Sequence, residues 1–438
     1  MLALCHSAYS LQAGVCDPVK WAAAARERGY EALALADING LYGAVNFYRQ
    51  VETAGLHPII GATLHFRMPF SFIALVTNAE GYSQLCRLLT RRHHLRSEED
   101  PRALFEHECP SELLFLAHTL PSLELLSAFI PRENVYALPP NRVPHPAVDQ
   151  CRSPSLWHTP YQGNTAEGYR SAPLPDAWFV EEEDTEPFIY REKLRSMVGT
   201  GEPIPLYPGA HLPHAQSWCV RYPEAPRIMA EICERCTYRY PLGRTLLPRV
   251  NINDGQSAAE RLQTLCLEGW RRKYAGTQRA TEAEKRLNHE LQTIVNNGFA
   301  DYFLYVNEII SFAHRKGIPV GVRGSAASSL VSYLLDFTYC CPLEHDLYFE
   351  RFMNPGRTDC PDIDIDIADT RRDEVIAYCV RQWGENRVGM IANLQTYQTR
   401  SAFRDAARLL GISPEEVKAA LDAGAPLPEE RRLSRIAE

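Results

Sequence analysis

The 438-residue sequence predicts an α/β protein with two to three domains. Strands and helices alternate over residues 1–90, which is typical of a parallel sheet or a barrel. From residue 256 onward the periodicity becomes strongly helical, and short strands are predicted at residues 318–322 and 362–367. The apolar content of 45% and the charged content of 23% are ordinary for a soluble globular protein. A chain of this length can therefore bury ample core in each domain.

Composition and charge exclude several classes of protein. The net charge of −8 gives no overall basic signature of a nucleic-acid binder, although a local basic surface in a cleft stays open. No stretch approaches the roughly 18 apolar residues of a membrane span, and the amino terminus lacks the pattern of a signal peptide. The 13 cysteines are scattered, and their odd number suits reduced thiols. We therefore expect a cytoplasmic protein without a membrane partner.

The first half of the chain supplies the strand–helix alternation. Asp17 caps a predicted helix that begins at Pro18. Further helices are predicted at residues 41–54, 81–92, 187–197 and 222–235, and strands at residues 32–36, 58–66, 70–76 and 113–117. His6 follows the first predicted strand and Asp37 ends the second. Both are candidate metal ligands because such folds place their active sites at strand carboxyl ends, but a metal site needs at least three ligands.

The second half of the chain is predicted to be mainly helical. The predicted helices cover residues 257–274, 281–297, 302–316, 330–335, 371–383, 401–410 and 413–423. Besides the two strands named above, a short strand is predicted at residues 388–392.

The most informative stretch alternates aspartate with isoleucine. Successive side chains of a strand point to opposite faces, so the three aspartates share one face and the three isoleucines the other. The aspartates are Asp362, Asp364 and Asp366. Like charges so close together are unfavourable without a cation, and oxygen ligands suit Mg²⁺. The alternative is an exposed edge strand with an acidic outer face, which is disfavoured because aspartate is a poor strand former.

A glycine- and serine-rich turn connects the strand at residues 318–322 to the next helix. Such a turn presents backbone N–H groups and a positive helix end to an anion, and Arg323, Gly324, Ser325 and Ser328 would form it. The alternative is an ordinary strand–helix turn with a serine cap. The position of the turn, some forty residues before the carboxylate strand, suggests that phosphates are held near a metal ion. Nucleotidyl transfer needs this combination of a phosphate site and a metal site.

Three arginines form a basic stripe on the predicted helix at residues 401–410 and the residue before it. Arg400, Arg404 and Arg408 are spaced four residues apart, so they share one helix face. Arginine suits bidentate contact with phosphate. A solvated face, partly neutralised by Asp405, explains the pattern equally well.

At these residues the sequence resembles the alpha subunit of bacterial DNA polymerase III, a C-family replicative polymerase. Residues 6–10, 34–48 and 58–61 are similar to its polymerase-and-histidinol-phosphatase (PHP) domain. Its palm is similar to residues 298–304, 323–330, 349–355 and 361–366, and the start of its thumb to residues 396–411. The resemblance implies a PHP-type distorted (β/α) barrel over residues 1–225, a polymerase-beta-like nucleotidyltransferase palm over 226–395, and a partial helical thumb over 396–438.

The resemblance also assigns roles. It implies that Asp364 and Asp366 are catalytic carboxylates that hold Mg²⁺ with support from Asp362, and that Gly324 and Ser325 cradle a triphosphate. The expected partners are primer–template DNA, deoxynucleoside triphosphates and other subunits of the polymerase holoenzyme. A third carboxylate and the fingers are expected beyond residue 438, so we expect the isolated chain to be weak or inactive.

The sequence departs from the family pattern at both sites. In the PHP motifs, Leu4, Ile38 and Thr63 replace expected metal ligands, which predicts a structural domain that binds no metal and has no phosphoesterase activity. In the palm, Val322 and Ala326 replace glycines, and Ala326 would tolerate a positive φ poorly. These losses keep a second hypothesis open, a truncated non-catalytic paralogue that acts as a binding or structural protein. A PHP-type phosphoesterase is a third and weaker hypothesis.

Overall fold

The structure is a computed structural model. It describes residues 1–438 except 12–13, 67–69, 96–99, 139–168, 181–210, 244–245, 251–254, 354–360, 392, 395–397, 410–411, 414 and 419–438. The chain divides into two compact units, one of residues 1–240 with 395–438 and the other of residues 241–394. The predicted boundaries lie at residues 225 and 395, and the segment predicted to begin a separate thumb groups with the first unit.

The first unit is built from short strands and intervening helices. Its strands are β1 (Leu2–Cys5), β2 (Ala32–Leu35), β3 (Asp37–Ile38), β4 (His57–Ile59), β5 (Gly61–His65), β6 (Ser71–Val76), β7 (Leu113–Ala117), β8 (Val135–Ala137), β9 (Arg170–Ser171) and β10 (Asp176–Ala177). Its helices up to residue 240 are α1 (Pro18–Glu27), α2 (Ala44–Thr53), α3 (Ala79–His94), α4 (Leu120–Phe129), α5 (Ala215–Arg221) and α6 (Ala225–Arg235). As predicted, the Asp17 carboxylate caps α1 by accepting hydrogen bonds from the amides of Val19 and Lys20.

The strands of the first unit form a four-stranded sheet and a six-stranded sheet. The β2–β4 and β3–β5 pairings share the same register, since Ala34 lies opposite Ile59 and Asp37 lies opposite Ala62. The strand orders are β10–β1–β2–β4 in one sheet and β3–β5–β6–β7–β8–β9 in the other. All neighbours are parallel except at β6, which is antiparallel to both β5 and β7. The reversed strand β6 distorts an otherwise parallel α/β arrangement, which agrees with the predicted fold class, and the carboxyl ends of β1 and β2 lie at one edge.

The second unit is mainly helical around one pair of strands. It contains α7 (Ala258–Tyr274), α8 (Ala280–Asn296), α9 (Ala300–Arg315), β11 (Val320–Arg323), α10 (Leu330–Leu334), β12 (Asp364–Ile367) and α11 (Arg372–Trp383). The strands β11 and β12 are antiparallel, and they pack on a core formed by the surrounding helices. This arrangement fits the predicted α+β palm. The helix α12 (Thr399–Leu409) belongs to the first unit.

Some predicted elements differ from the structure. Residues 388–391 are not a strand, and Met390 and Ile391 are 84% and 97% exposed, so no packing surface supports a ladder there. Within the predicted helix at 413–423, residues 415–418 are helical and the rest after 418 lies outside the described residues. The predicted helix at 187–197 also lies outside them. Among the described residues, no helix is both long enough and apolar enough to cross a membrane.

Candidate functional site

The aspartate strand has the two faces that its sequence predicts. The isoleucines Ile363, Ile365 and Ile367 are half-buried and pack against the core of the second unit. The aspartates Asp362, Asp364 and Asp366 are exposed. The apolar face therefore anchors β12, and the anchoring fixes the direction in which the carboxylates point.

The neighbouring strand brings a cation to the carboxylate face. In the register of the two strands, Arg323 lies opposite Asp364 and Gly321 lies opposite Asp366. The Nε atom of Arg323 is 3.3 Å from Oδ1 of Asp366, and the two side chains are 68% and 65% exposed. An ion pair this exposed contributes only about 0.2–1 kcal/mol, so little free energy is needed to separate the two groups.

The carboxylates fit a hard divalent ion by their chemistry, although they do not enclose one. All the donors are carboxylate oxygens on an exposed face, which is the ligand type that Mg²⁺ prefers, usually with water or phosphate as further ligands. Within the described residues, no three or more histidine, cysteine, aspartate or glutamate side chains are grouped to hold a metal ion. The carboxylates of β12 are therefore an open platform rather than a closed protein cage.

The turn after β11 continues directly from Arg323. Residues Gly324–Ser328 form one 3-10 turn, and Ser329 then caps α10 by accepting a hydrogen bond from the amide of Ser332. Gly324 has φ +70°, a conformation that favours glycine, and the space where a Cβ would lie is open. The exposed part of the turn is Arg323 and Gly324, with Ser325 half-buried beside them.

The rest of the turn faces inward. Ser328 is buried and its hydroxyl donates to the carbonyl oxygen of Ser325, so this hydroxyl supports the turn itself. Ala326, which would tolerate a positive φ poorly, does not adopt one: φ is positive at Gly324, and Ala326 is fully buried in the core. Val322 is also buried, so its side chain does not lie on the face of Arg323. Neither substitution blocks the outer side of the turn.

The basic stripe lies on α12. The side chains of Arg404 and Arg408 are exposed, and Arg400 lies in the first turn of the helix with its side chain outside the described residues. The helix belongs to the first unit, whereas β11 and β12 belong to the second. The contact of Arg400 and Arg404 with a nucleotide stays a prediction.

A second set of polar side chains lies at the strand ends of the first unit. We call His6, Asp37, His118 and Asp176 the strand-end cluster. The Nε2 atoms of His6 and His118 donate to the two oxygens of Asp176 over 2.8 and 3.1 Å. Trp178 stacks on His6 with ring centroids 3.7 Å apart. Burial alone would raise the pKa of Asp176, but His6 and His118 hold that pKa well below its usual value.

Asp37 is satisfied by hydroxyl and amide donors. Its carboxylate accepts hydrogen bonds from the Ser7 amide, the Ser7 hydroxyl and the Ser10 hydroxyl over 2.6, 2.6 and 2.8 Å. Where the resemblance implies metal ligands, Leu4 is buried and the Thr63 hydroxyl donates to the Ala36 carbonyl oxygen over 2.7 Å. The residues present therefore do not fit the metal cluster that the PHP resemblance implies.

Two members of the cluster, His118 and Asp176, are missed by the sequence prediction. His118 directly follows β7, so the strand-end rule that singled out His6 and Asp37 applies to it as well. Asp176 lies on the two-residue strand β10 in an irregular part of the chain, where no periodicity marks a strand. The cluster becomes visible only because β10 pairs with β1, which brings Asp176 to His6, 170 residues away in sequence.

The Asp37→Asn variant should separate the titration of this carboxyl from that of other groups. Burial raises the pKa of Asp37 to about 6 despite its three hydrogen bonds. A carboxyl whose pKa is higher in the folded state than in the unfolded state stabilises the fold at a pH below the unfolded-state pKa. This contribution to the unfolding free energy is lost as the pH rises through the folded-state pKa of about 6. We expect the unfolding free energy of the wild type, relative to Asp37→Asn, to fall by about 3 kcal/mol between about pH 4 and about pH 7.

Urea denaturation at several pH values measures this difference. Asp373→Asn is the matched control, since its side chain is 91% exposed. A difference between wild type and Asp37→Asn that is flat with pH would show that the pKa of Asp37 is not raised.

Comparison with known proteins finds two families along the chain. Residues 4–126 match the family model of the PHP domain, and residues 260–432 match that of the bacterial DNA polymerase III alpha NTPase domain. DNA polymerase III subunit alpha of Bacillus subtilis is 31% identical over 94% of this chain and 38% of its own length. The error-prone DNA polymerase of Symbiobacterium thermophilum is 32% identical over 94% of this chain and 41% of its own length. The chain thus spans about two fifths of the length of these curated relatives.

Proposed function

We propose that the chain belongs to the family of bacterial DNA polymerase III alpha subunits, to which it is similar over 94% of its length, and that it serves template-directed DNA synthesis by nucleotidyl transfer. Both the reaction and its substrates are proposed rather than shown, because this chain spans only 38% of the length of its Bacillus subtilis relative. Primer–template DNA and deoxynucleoside triphosphates (dNTPs) are the proposed substrates. Other subunits of the polymerase holoenzyme are the proposed partners, and the cytoplasm is the proposed location.

The observation that carries the proposal is the pairing of β11 with β12. It sets Arg323 and the turn that follows it beside Asp364 and Asp366, on the exposed side of a strand whose other side is anchored in the core. A cationic phosphate site next to paired carboxylates is the arrangement that phosphoryl and nucleotidyl transfer use. Without this register the two motifs would be separate local features.

Asp364 and Asp366 would hold divalent metal, with Asp362 in support. A divalent ion held there, proposed to be Mg²⁺, would neutralise the charge of the triphosphate and activate a primer 3′-hydroxyl. The exposure of the three carboxylates leaves their oxygens accessible for this role.

The turn would bind the triphosphate through its outer side. Arg323 can exchange its exposed carboxylate partner Asp366 for a phosphate, and arginine suits bidentate phosphate contact. Gly324 lets the backbone approach the ligand closely because it has no Cβ, and the Ser325 hydroxyl adds a donor. Ser328 contributes by holding the turn. Arg400 and Arg404 are proposed as further phosphate contacts.

Binding of a dNTP to the purified chain tests the proposal directly. We expect equilibrium dialysis with labelled dATP, in the presence of primer–template DNA, to show binding that requires Mg²⁺ and is lost with EDTA. Any incorporation of the nucleotide into the primer should show the same requirement. Nucleotide binding that is equal with and without metal, or no binding at all, would contradict the proposal.

One observation favours the second candidate, a non-catalytic protein that keeps the fold and binds DNA or polymerase partners. The guanidinium of Arg323 neutralises Asp366 in the structure, so the carboxylate face can persist without metal. Titration calorimetry distinguishes the two candidates. The non-catalytic protein would bind DNA or partner subunits while showing no affinity for Mg²⁺ or Mn²⁺.

A further inference from the structure

A buried ion pair lies directly behind the turn at Gly324–Ser328. Arg286 and Glu290 are one helical turn apart on α8, and Nε of Arg286 is 2.6 Å from Oε1 of Glu290. The Glu290 side chain is 0% exposed and that of Arg286 is 21% exposed. Neither residue reaches the outer side of the turn, so neither is placed to touch a substrate there.

Both partners bind the end of the turn. Oε2 of Glu290 accepts hydrogen bonds from the Ser329 hydroxyl over 2.7 Å and from the Val331 amide over 3.1 Å. Nη2 of Arg286 donates to the carbonyl oxygens of Leu347 and Ser328 over 3.0 and 3.4 Å. The pair therefore ties α8 to the last residue of the turn and to the first turn of α10.

These contacts change the expected role of the helix after the turn. The sequence predicted that the positive end of that helix would face a bound anion, but Glu290 already occupies the amino-terminal end of α10. The phosphate site is thus confined to the turn itself, at Arg323, Gly324 and Ser325. Burial raises the pKa of Glu290, and hydrogen bonds from Leu330, Val331, Arg286 and Ser329 oppose this rise.

We infer that Arg286 and Glu290 are positioning residues, which hold the Gly324–Ser328 turn in the shape that binds the triphosphate. The inference rests on the proposed function of that turn. A buried ion pair is weak support for stability in general, since apolar residues often replace one without loss. Here the pair makes four further hydrogen bonds, and three of them go to residues 328–331 at the end of the turn. The geometry of the pair is therefore the property that matters for the turn.

Two variants and a control on the same helix test the inference. Glu290→Gln keeps an acceptor for Ser329 and Val331 but removes the charge that pairs with Arg286. Arg286→Lys keeps the positive charge, but the shorter lysine side chain cannot donate to both carbonyl oxygens that Arg286 binds. It also tests the inference if Glu290→Gln fails to fold. Glu282→Gln is the control, because Glu282 forms an exposed ion pair with Arg279 over 2.7 Å and does not contact the turn.

Amide hydrogen exchange and dATP binding are measured on the folded variants. For Glu290→Gln and Arg286→Lys we expect at least about fivefold faster exchange confined to residues 321–334, and about tenfold weaker Mg²⁺-dependent dATP binding, with Glu282→Gln unchanged. Residues of α9 should exchange as in the wild type. A loss of stability alone would instead affect the whole unit.

The possible failures are distinguishable. If the wild type binds no dATP, the nucleotide proposal is overturned, and exchange at residues 321–334 still decides whether the pair holds the turn. If the wild type binds dATP and both variants bind it equally well, the positioning role is overturned while the proposed function stands. Unchanged exchange in the turn would also overturn the positioning role.

Discussion

In titration calorimetry, Asp364→Asn and Asp366→Asn should each weaken Mg²⁺ or Mn²⁺ binding by at least about 100-fold. Loss of an outer-shell partner of a metal ligand already costs 10–100-fold in affinity, and these carboxylates would be ligands themselves. An amide keeps the shape of the side chain but removes the negative charge that holds a hard cation. The exposed face and the core-anchored isoleucines mean that these changes should leave the fold intact.

The matched control is Asp373→Asn, which removes one charge from the same unit at a side chain that is 91% exposed. It should leave metal affinity within about twofold, since an exposed charge that does not ligate the ion acts only through screened electrostatics. Asp362→Asn should have a smaller effect than the other two. Equal weakening by all these variants would indicate a general charge effect rather than a site.

Arg323→Gln should change the affinity for metal alone in the opposite direction. Arg323 competes for Asp366, so its removal should strengthen binding of free Mn²⁺ and weaken binding of dATP with metal. If Arg323→Gln weakened both equally, Arg323 would be supporting the carboxylate rather than competing with the ion.

The parts of the fold that depend on local periodicity were predictable from the sequence. The aspartate–isoleucine alternation predicts both faces of β12, because a period of two assigns every side chain of a strand to one face. The helix caps are also local, as at Asp17 and at Ser257, where the Ser257 and Glu260 side chains form a capping box. In these cases the signal lies within a few residues of the element that it determines.

Features that depend on long-range pairing were not predictable. The register that sets Arg323 opposite Asp364 joins residues 41 positions apart in sequence, and no local pattern specifies it. The same holds for Glu290, whose partner Val331 is also 41 residues away. From the sequence, a glutamate on a helix such as α8 is expected to be exposed to solvent. Only the tertiary structure shows that Glu290 is buried.

The conformation of the turn at Gly324–Ser328 is likewise not specified by the local sequence. A sequence of small residues permits several turn types, and which residue takes the positive φ depends on how the turn packs against the helices beneath it. Here Gly324 takes it and Ala326 enters the core. The family glycine at position 326 is therefore not required for this backbone, and its replacement does not argue against nucleotide binding.

Replacement of Asp176 should have the largest effect on stability. Asp176 accepts hydrogen bonds from His6 and His118 in a site where all three side chains are at most 9% exposed. Asp176→Ala removes the acceptor that the two buried imidazoles share. We expect the first unit to lose about 3–5 kcal/mol of unfolding free energy, measured by urea denaturation at neutral pH.

An exposed carboxylate provides the control. Glu80 pairs with Arg87 where the side chains are 59% and 40% exposed, so Glu80→Ala should cost less than about 1 kcal/mol. The depressed pKa of Asp176 sets the pH dependence. Its contribution is present above the unfolded pKa, near 4, and is lost as the pH falls toward the lower folded pKa, so wild type and Asp176→Ala should converge in strong acid. If Asp176→Ala were as stable as Glu80→Ala at neutral pH, the strand-end cluster would not be holding the barrel together, and its polar residues would need another explanation.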